Sequence, residues 1–180
     1  PLWKQSPKTM YTKNKLLQNP THKMKLRLSG THKLHAKSIV LTTGSFDYPL
    51  HVEHLRYLRT AATYGDILVV AMDSDELLRK RKGPGRPIAP FTLRAMTLCQ
   101  LNFVNFVIKH NGDDMALVRS VKPRVYVQSM TTNQESLHSK EPVFNLVETL
   151  GGNVRILPLS RAFKVSTSAL VRRIQSSGLI

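Results

Sequence analysis

Two histidines three residues apart close the segment Thr43-Gly44-Ser45-Phe46-Asp47-Tyr48-Pro49-Leu50-His51-Val52-Glu53-His54. At the start of a helix that spacing puts both imidazoles on one face. There they can donate hydrogen bonds to phosphate oxygens, assisted by the N–H groups of the first turn. Gly44 lets the backbone approach a ligand closely. The bland alternative is two surface histidines, one of them a helix cap, because short motifs match often by chance. No third ligand for zinc is evident nearby, so no metal site is expected.

Alternating strands and helices must carry this loop. Ile39–Thr42 is a short β-branched run that reads as a buried strand. Helical spacing of Leu55, Leu58 and Ala62 predicts a helix over His54–Tyr64, closed by Gly65. Ile67–Met72 is continuously apolar, as in a sheet covered on both faces. Arg79 to Pro87 reads as a basic loop. Helices are expected at Phe91–Leu101, Asp113–Val121, Pro142–Leu150 and Ser168–Ser176, and strands at Phe103–Ile108, Arg124–Val127 and Asn153–Leu157. This alternation predicts an α/β fold, a Rossmann-like, doubly wound, parallel five-stranded sheet with right-handed crossovers. Ligands of such sheets bind beyond the carboxyl ends of the strands, where strand order switches.

The 180 residues are 41% hydrophobic and carry 27 Lys+Arg against 11 Asp+Glu, a formal charge of +16. Such an excess answers to a polyanion, nucleic acid or an acidic membrane surface. No apolar run approaches the roughly 18–20 residues needed to span a bilayer. A lone cysteine, Cys99, excludes an internal disulfide and a Cys-based zinc site; between Leu98 and Leu101 it reads as a small buried hydrophobe in a reducing compartment. Residues 1–38 form a basic N-terminal extension with nine cations and no acid: Lys4, Lys8, Lys13, Lys15, Lys23, Lys25, Arg27, Lys33 and Lys37. Poor in apolar periodicity, this arm is expected to be disordered alone and ordered by a partner, an RNA backbone above all, or else against its own domain. Arg79, Lys80 and Arg81 are read as a solvated charged run that extends the basic surface. The arm lacks the apolar face of an interfacial helix, so no membrane partner is expected. The start at Pro1 reads as a processed or partial product that has lost any presequence. Two parts are expected, a basic extended arm over 1–38 and the α/β domain over 39–180.

Thr-Gly-Ser-Phe-Asp followed by His-Val-Glu-His resembles the T-x-G-x-F-D … H-x-G-H signature of the cytidylyltransferase-like nucleotidyltransferases. Further segments resemble the heptose-phosphate/glycerol-phosphate branch of that superfamily. They are Val70-Ala71-Met72-Asp73-Ser74-Asp75, Lys82-Gly83-Pro84-Gly85-Arg86-Pro87-Ile88 followed by Arg94, and Lys122-Pro123-Arg124-Val125-Tyr126-Val127. Gly151-Gly152-Asn153-Val154-Arg155-Ile156-Leu157-Pro158 and Ser166-Thr167-Ser168-Ala169-Leu170 complete the series. The resemblance runs from about Ile39 to Ile174. It implies Mg²⁺-dependent transfer from CTP or ATP to a phosphorylated small molecule, with release of pyrophosphate and no covalent intermediate. It also implies roles. His51, His54, Lys82 and Arg94 would be the catalytic set. Thr43, Gly44, Ser45, Phe46, Asp47, His51, His54, Arg94, Ser166, Thr167 and Ser168 would hold the nucleotide.

The chain departs from that pattern where chemistry is at stake. Glu53 replaces the Gly of H-x-G-H and sets a carboxylate beside phosphates, where like charges cost energy. Tyr48-Pro49-Leu50 is one residue longer than the matching loop. Gln128-Ser129-Met130-Thr131 stands for K-G-G-D, and Val165 precedes Ser166 where relatives often place Arg. The sequence alone therefore predicts a pseudo-enzyme in which catalysis is lost and no cofactor is required. That reading is a structural RNA-binding component of a large ribonucleoprotein, the mitochondrial ribosome in the matrix, with ribosomal RNA and ribosomal proteins as partners. The alternative is an active, cytoplasmic, Mg²⁺-dependent enzyme that binds CTP or ATP and a phosphorylated sugar or alcohol.

Overall fold

The computed structural model describes residues 9–12, 15–18, 38–130, 140–158 and 166–178. In chain order the elements are β1 (Thr9–Thr12), β2 (Lys15–Gln18), β3 (Ile39–Gly44), α1 (Val52–Ala62), β4 (Ile67–Asp73), α2 (Asp75–Lys82) and α3 (Phe91–Cys99). Then follow β5 (Phe106–His110), α4 (Asp114–Val121), β6 (Val125–Met130), α5 (Glu141–Thr149), β7 (Asn153–Pro158) and α6 (Thr167–Ser176). The sheet order is β2-β1-β5-β4-β3-β6-β7. The five strands β5-β4-β3-β6-β7 pair in parallel throughout, which is the expected doubly wound sheet. Strand order reverses between β3 and β6, so a crevice opens above their carboxyl ends.

Alternation along the strands builds two cores. On β4, Leu68, Val70 and Met72 point to one face, where they meet Leu58 and Ala61 of α1 and Phe91, Ala95 and Leu98 of α3. Ile67, Val69 and Ala71 point to the other, against Val118 and Val121 of α4 and Val143 and Val147 of α5. Both faces are covered, which is why β4 is buried at all seven positions and why its sequence shows no alternation. Cys99 lies in the first core, 7% exposed, and burial pushes its thiol up to about 11. It behaves as the small hydrophobe the sequence predicts. Gly65 turns the chain into β4 where a Cβ would stand 2.7 Å from the Ser38 carbonyl oxygen. The adjoining Asp66 carboxylate accepts from the Ser38 N–H at 2.7 Å and fixes the start of β3.

Two expectations are corrected, and for the arm the described residues follow the second of the two alternatives. The run Arg79–Lys82 is no loop but the last turn of α2. Ser74 caps that helix by accepting from the Leu77 N–H at 3.1 Å. Asp75 and Glu76 occupy its first turn and four cations its last, a charge order that suits the helix dipole. Helix α1 starts at Val52, two residues early, because His51 serves as its N-cap. Lastly, part of the arm is ordered. β1 and β2 form an antiparallel hairpin from Thr9↔Gln18 to Thr12↔Lys15, and Tyr11 registers opposite Val107 of β5. The domain's own sheet edge supplies pairing groups that the tail lacks. The RNA-binding candidate Lys15 opens β2; Lys4, Lys8, Lys13, Lys23, Lys25, Arg27, Lys33 and Lys37 lie outside the described residues.

Leu58 is fully buried against both β4 and α3. Leu58→Ala is expected to lower unfolding free energy by about 2–5 kcal/mol through the cavity it leaves. Thermal and urea denaturation of the two proteins check this.

Candidate functional site

The loop leaving the central strand β3 folds tightly on itself. A Cβ at Gly44 would lie 2.8 Å from the Phe46 ring, so the missing side chain makes room for that ring. Phe46 adopts a left-handed backbone (φ 44°) and is 5% exposed. Its ring stands edge-on to His54, centroids 5.6 Å apart. The imidazoles of His51 and His54 stack, with centroids 3.9 Å apart and planes 22° from parallel. The predicted single face is therefore real, and tighter than spacing alone requires.

One hydrogen bond sets the chemistry of the pair. The backbone N–H of His51 donates to Nδ1 of His54 at 3.3 Å. An accepting Nδ1 carries no proton, so in neutral His54 the proton sits on Nε2 as a donor. Burial, then the His51 ring, then Lys82 push His54 down to about 3, with Asp47 opposing. Near pH 7 His54 is thus a fixed, neutral hydrogen-bond donor. His51 is also lowered by burial; Glu53 opposes that and Lys82 adds to it. Lys82 itself is lowered by desolvation, with Asp47 opposing and Arg86 and Arg94 contributing. Lys82 thus bears on both imidazoles.

Several expected ligand residues hold the loop. The Asp47 carboxylate, 1% exposed, accepts from the Tyr48 N–H at 2.9 Å, the Ile88 N–H at 3.0 Å and the Arg86 guanidinium. It clasps the 83–88 segment onto the β3–α1 loop. Ser45 Oγ donates to Asp73 Oδ2 at 2.8 Å. Arg81 donates to both oxygens of the same carboxylate at 3.0 and 3.1 Å, so its charge is paired within the domain; Arg79 and Lys80 remain exposed on α2. Thr43 Oγ1 lies 3.2 Å from the Tyr126 hydroxyl beneath the loop.

Arg94 is placed differently from its expected contact with the triphosphate. Its side chain is 0% exposed. Nε donates to the Ala89 carbonyl at 3.0 Å, Nη1 to the Ser45 carbonyl at 2.6 Å, and Nη2 to the Asp73 carbonyl at 3.0 Å and Asp75 Oδ1 at 2.7 Å. Four of its five N–H donors are thereby engaged. It is a positioning residue, and so is Asp47. Sequence reasoning named Arg86, Asp73 and Asp75 within motifs but gave them no role. Nothing in their local spacing reports that they pair across the fold.

The start of α6 completes the arrangement. Ser166 caps this helix by accepting from the Ala169 N–H at 3.2 Å, which leaves its hydroxyl proton free to donate. Thr167, 5% exposed, reaches the Pro49 carbonyl at 3.5 Å and docks the helix beside the His51 loop. Ser168 lies in the same first turn. Two helix N-termini, the histidine pair and Lys82 form a setting for an anion with several phosphates. Among the described residues no group of three or more His, Cys, Asp or Glu could hold a metal ion, and Asp47 and Asp73 are engaged by Arg86 and Arg81.

Comparison with known proteins agrees with this geometry. The chain is 34% identical over 148 residues to the bifunctional protein HldE of Geotalea uraniireducens (strain Rf4), covering 82% of this chain and 29% of that one. It is 37% identical over 138 residues to HldE of Alcanivorax borkumensis, covering 76% and 28%. The chain therefore spans under a third of the length of these relatives. A lipopolysaccharide core biosynthesis protein from Thermoplasma volcanium GSS1 superposes with a TM-score of 0.54 at 30% identity, covering 69% of this chain and 98% of that one. A protein of unknown function from Archaeoglobus fulgidus shares the fold at 21% identity and a TM-score of 0.52. Residues 41–173 match the family model described as cytidylyltransferase-like, and the chain belongs to that family.

Proposed function

We propose that this chain is an active nucleotidyltransferase that joins CTP or ATP to a phosphorylated sugar or alcohol. The observation that carries this reading is the histidine pair. A stacked pair with one member locked as a neutral Nε2–H donor, beside Lys82 and two helix N-termini, is costly to maintain without an anion to receive. The lipopolysaccharide core role of the Thermoplasma protein and the HldE relatives make a sugar phosphate the first acceptor to try.

In the proposed step an oxygen of the acceptor phosphate attacks the α-phosphorus of the nucleotide. A new P–O bond forms, the bond from that phosphorus to the bridging oxygen breaks, and pyrophosphate leaves with the electron pair. His54 Nε2–H and His51 stabilise the charge that builds on the phosphoryl oxygens. Lys82, the Ser166 hydroxyl and the first-turn N–H groups of α6 hold the outer phosphates. Arg94 and Asp47 keep the two loops in register, so that positioning does most of the catalysis. A Mg²⁺ ion held mainly by the phosphates themselves would supply charge neutralisation.

A second reading has one observation in its favour: nine cations and no acid in residues 1–38. That arm suits an RNA backbone, and the proposal in that case is a ribonucleoprotein component, the mitochondrial ribosome in the matrix, with ribosomal RNA and proteins as partners. The two readings are separable by experiment. Incubation with CTP or ATP, Mg²⁺ and a panel of sugar and alcohol phosphates is expected to release pyrophosphate. His54→Ala is expected to slow turnover about 10²–10³-fold, as loss of one preorganised donor does. No turnover and no CTP binding at millimolar concentration would remove the enzyme reading. Sedimentation of the native protein through a sucrose gradient with and without RNase tests the second. An enzyme free of RNA migrates as a small species in both. RNase-sensitive migration with a ribosome-sized particle establishes the ribonucleoprotein reading instead.

A further inference from the structure

The two strands that flank the crevice are tied together where they part. β3 and β6 are in register at Val40↔Val125, Leu41↔Tyr126 and Thr42↔Val127. β3 then runs on to Gly44 and β6 to Met130, and among the described residues no further registered pair joins them. Thr42 and Val127 thus mark a fork, and the crevice stands above it.

A tyrosine hydroxyl bridges the fork on each face of the sheet. On the α1 face, the Tyr57 hydroxyl donates to the Val127 carbonyl oxygen at 2.9 Å and shares a second hydrogen bond with Thr42 Oγ1. A phenol has one proton to give. Val127 takes it, so Thr42 is the donor to Tyr57, and the two bonds run one way, from β3 through α1 to β6. Burial raises the Tyr57 pKa above its ordinary value, which keeps that proton in place. On the opposite face the Tyr126 hydroxyl of β6 stands 3.2 Å from Thr43 Oγ1 of β3. The two bridges differ in what they carry. Tyr126 joins strand to strand. Tyr57 follows His54 by three residues, as His54 follows His51, and so lies one turn further along the same helix. The tie from β3 to β6 therefore passes through the helix that carries the histidine pair.

We propose that Tyr57 is a positioning residue that registers the histidine pair of α1 against the carboxyl end of β6. The use of that register, transfer between a nucleotide at the histidines and an acceptor near β6, rests on the nucleotidyltransferase reading. The tie itself does not. Loss of the hydroxyl leaves the contacts of the nucleotide in place and shifts the two sides of the crevice relative to each other. Such a shift costs turnover more than it costs binding.

Tyr57→Phe removes the hydroxyl and keeps the ring that packs against the first core. Kinetics on the full chain use Mg²⁺, CTP and the acceptor phosphate of the panel that releases most pyrophosphate. In Tyr57→Phe, kcat is expected to fall about tenfold while the Kd for CTP stays within about twofold. Thr42→Val removes the donor to Tyr57 and is expected to lower kcat in the same way; Thr42→Ser, which keeps a hydroxyl, is expected to restore it. Both hydroxyls act through one chain of bonds, so the double variant Thr42→Val/Tyr57→Phe is expected to fall no further than Tyr57→Phe. A hydroxyl that only stabilises the fold lowers the melting temperature and leaves kcat unchanged well below it. That result overturns the proposal, as does CTP affinity lost in step with kcat.

Two measurements on the free protein stand apart from any turnover. In Tyr57→Phe the amides of Thr43, Gly44, Gln128 and Ser129 are expected to exchange hydrogen about tenfold faster than the change at Val69 and Val70 accounts for, as loss of a buried hydrogen bond implies. The His54 Cε1–H signal, assigned from His54→Gln, is expected to move. Wild-type protection at the fork, or an unmoved His54 signal, overturns the proposal. A wild type without turnover removes the enzyme reading, and exchange and the His54 signal then decide the register alone. If Tyr57→Phe fails to fold, Thr42→Val carries the same measurements.

Discussion

The architecture of the site depends on one buried guanidinium. Arg94 has no exposed side-chain surface, and a buried charge is tolerated only when it is paired and hydrogen-bonded. Its partners belong to segments far apart in sequence: Ser45 in the β3–α1 loop, Asp73 at the end of β4, Asp75 at the start of α2 and Ala89 before α3. A planar fork with five donors can reach all of them at once, which an ammonium cannot. The loop that carries the histidines is thus tied to the carboxyl end of the neighbouring strand by the interior of the protein.

Charge is managed in layers above that anchor. Asp73 takes Arg81 and Asp47 takes Arg86, so the carboxylates nearest the crevice are engaged by arginines on the segments they fasten. What remains around the crevice is Lys82, the stacked imidazoles and two helix N-termini; burial lowers both imidazoles, and Lys82 adds to that. Crowded positive groups in a half-desolvated place are a local cost to the fold.

Much of this was legible in the residues. The continuous apolar run at Ile67–Met72 announced a strand buried on both faces, and the strand-helix alternation pointed to a parallel sheet. The His51/His54 face followed from a spacing of three. Long-range pairing was not legible. No local signal says that Arg94 turns inward, because its four partners assemble only when the fold does. The basic run at Arg79–Lys82 concealed a helix because its charges outweigh its propensity in a composition reading, although Ser74-Asp75-Glu76 is a good helix start. The Thr9–Thr12 and Lys15–Gln18 strands are too short to show a period; what orders them is the open edge of β5, which lies about ninety residues away in the chain.

The place where the hairpin joins bears on how the basic arm and the site coexist. β1 lies beyond β5, three strands from β3, or about 14 Å at the usual spacing between neighbouring strands. The site sits above the carboxyl end of β3, where strand order reverses. β1 and β2, the described part of the arm, join the sheet at the edge away from the crevice. The charge excess, which taken alone argued for a scaffold in place of an enzyme, is therefore compatible with catalysis. What distinguishes the two lies inside the crevice. There the histidine pair, Lys82 and the Ser166 cap stand together, while the Gln128-Ser129-Met130 end of β6 carries uncharged side chains. On the proposed nucleotidyltransferase reading, the uncharged end of β6 bears on which acceptor would fit, while the histidine side keeps the groups that would receive phosphates.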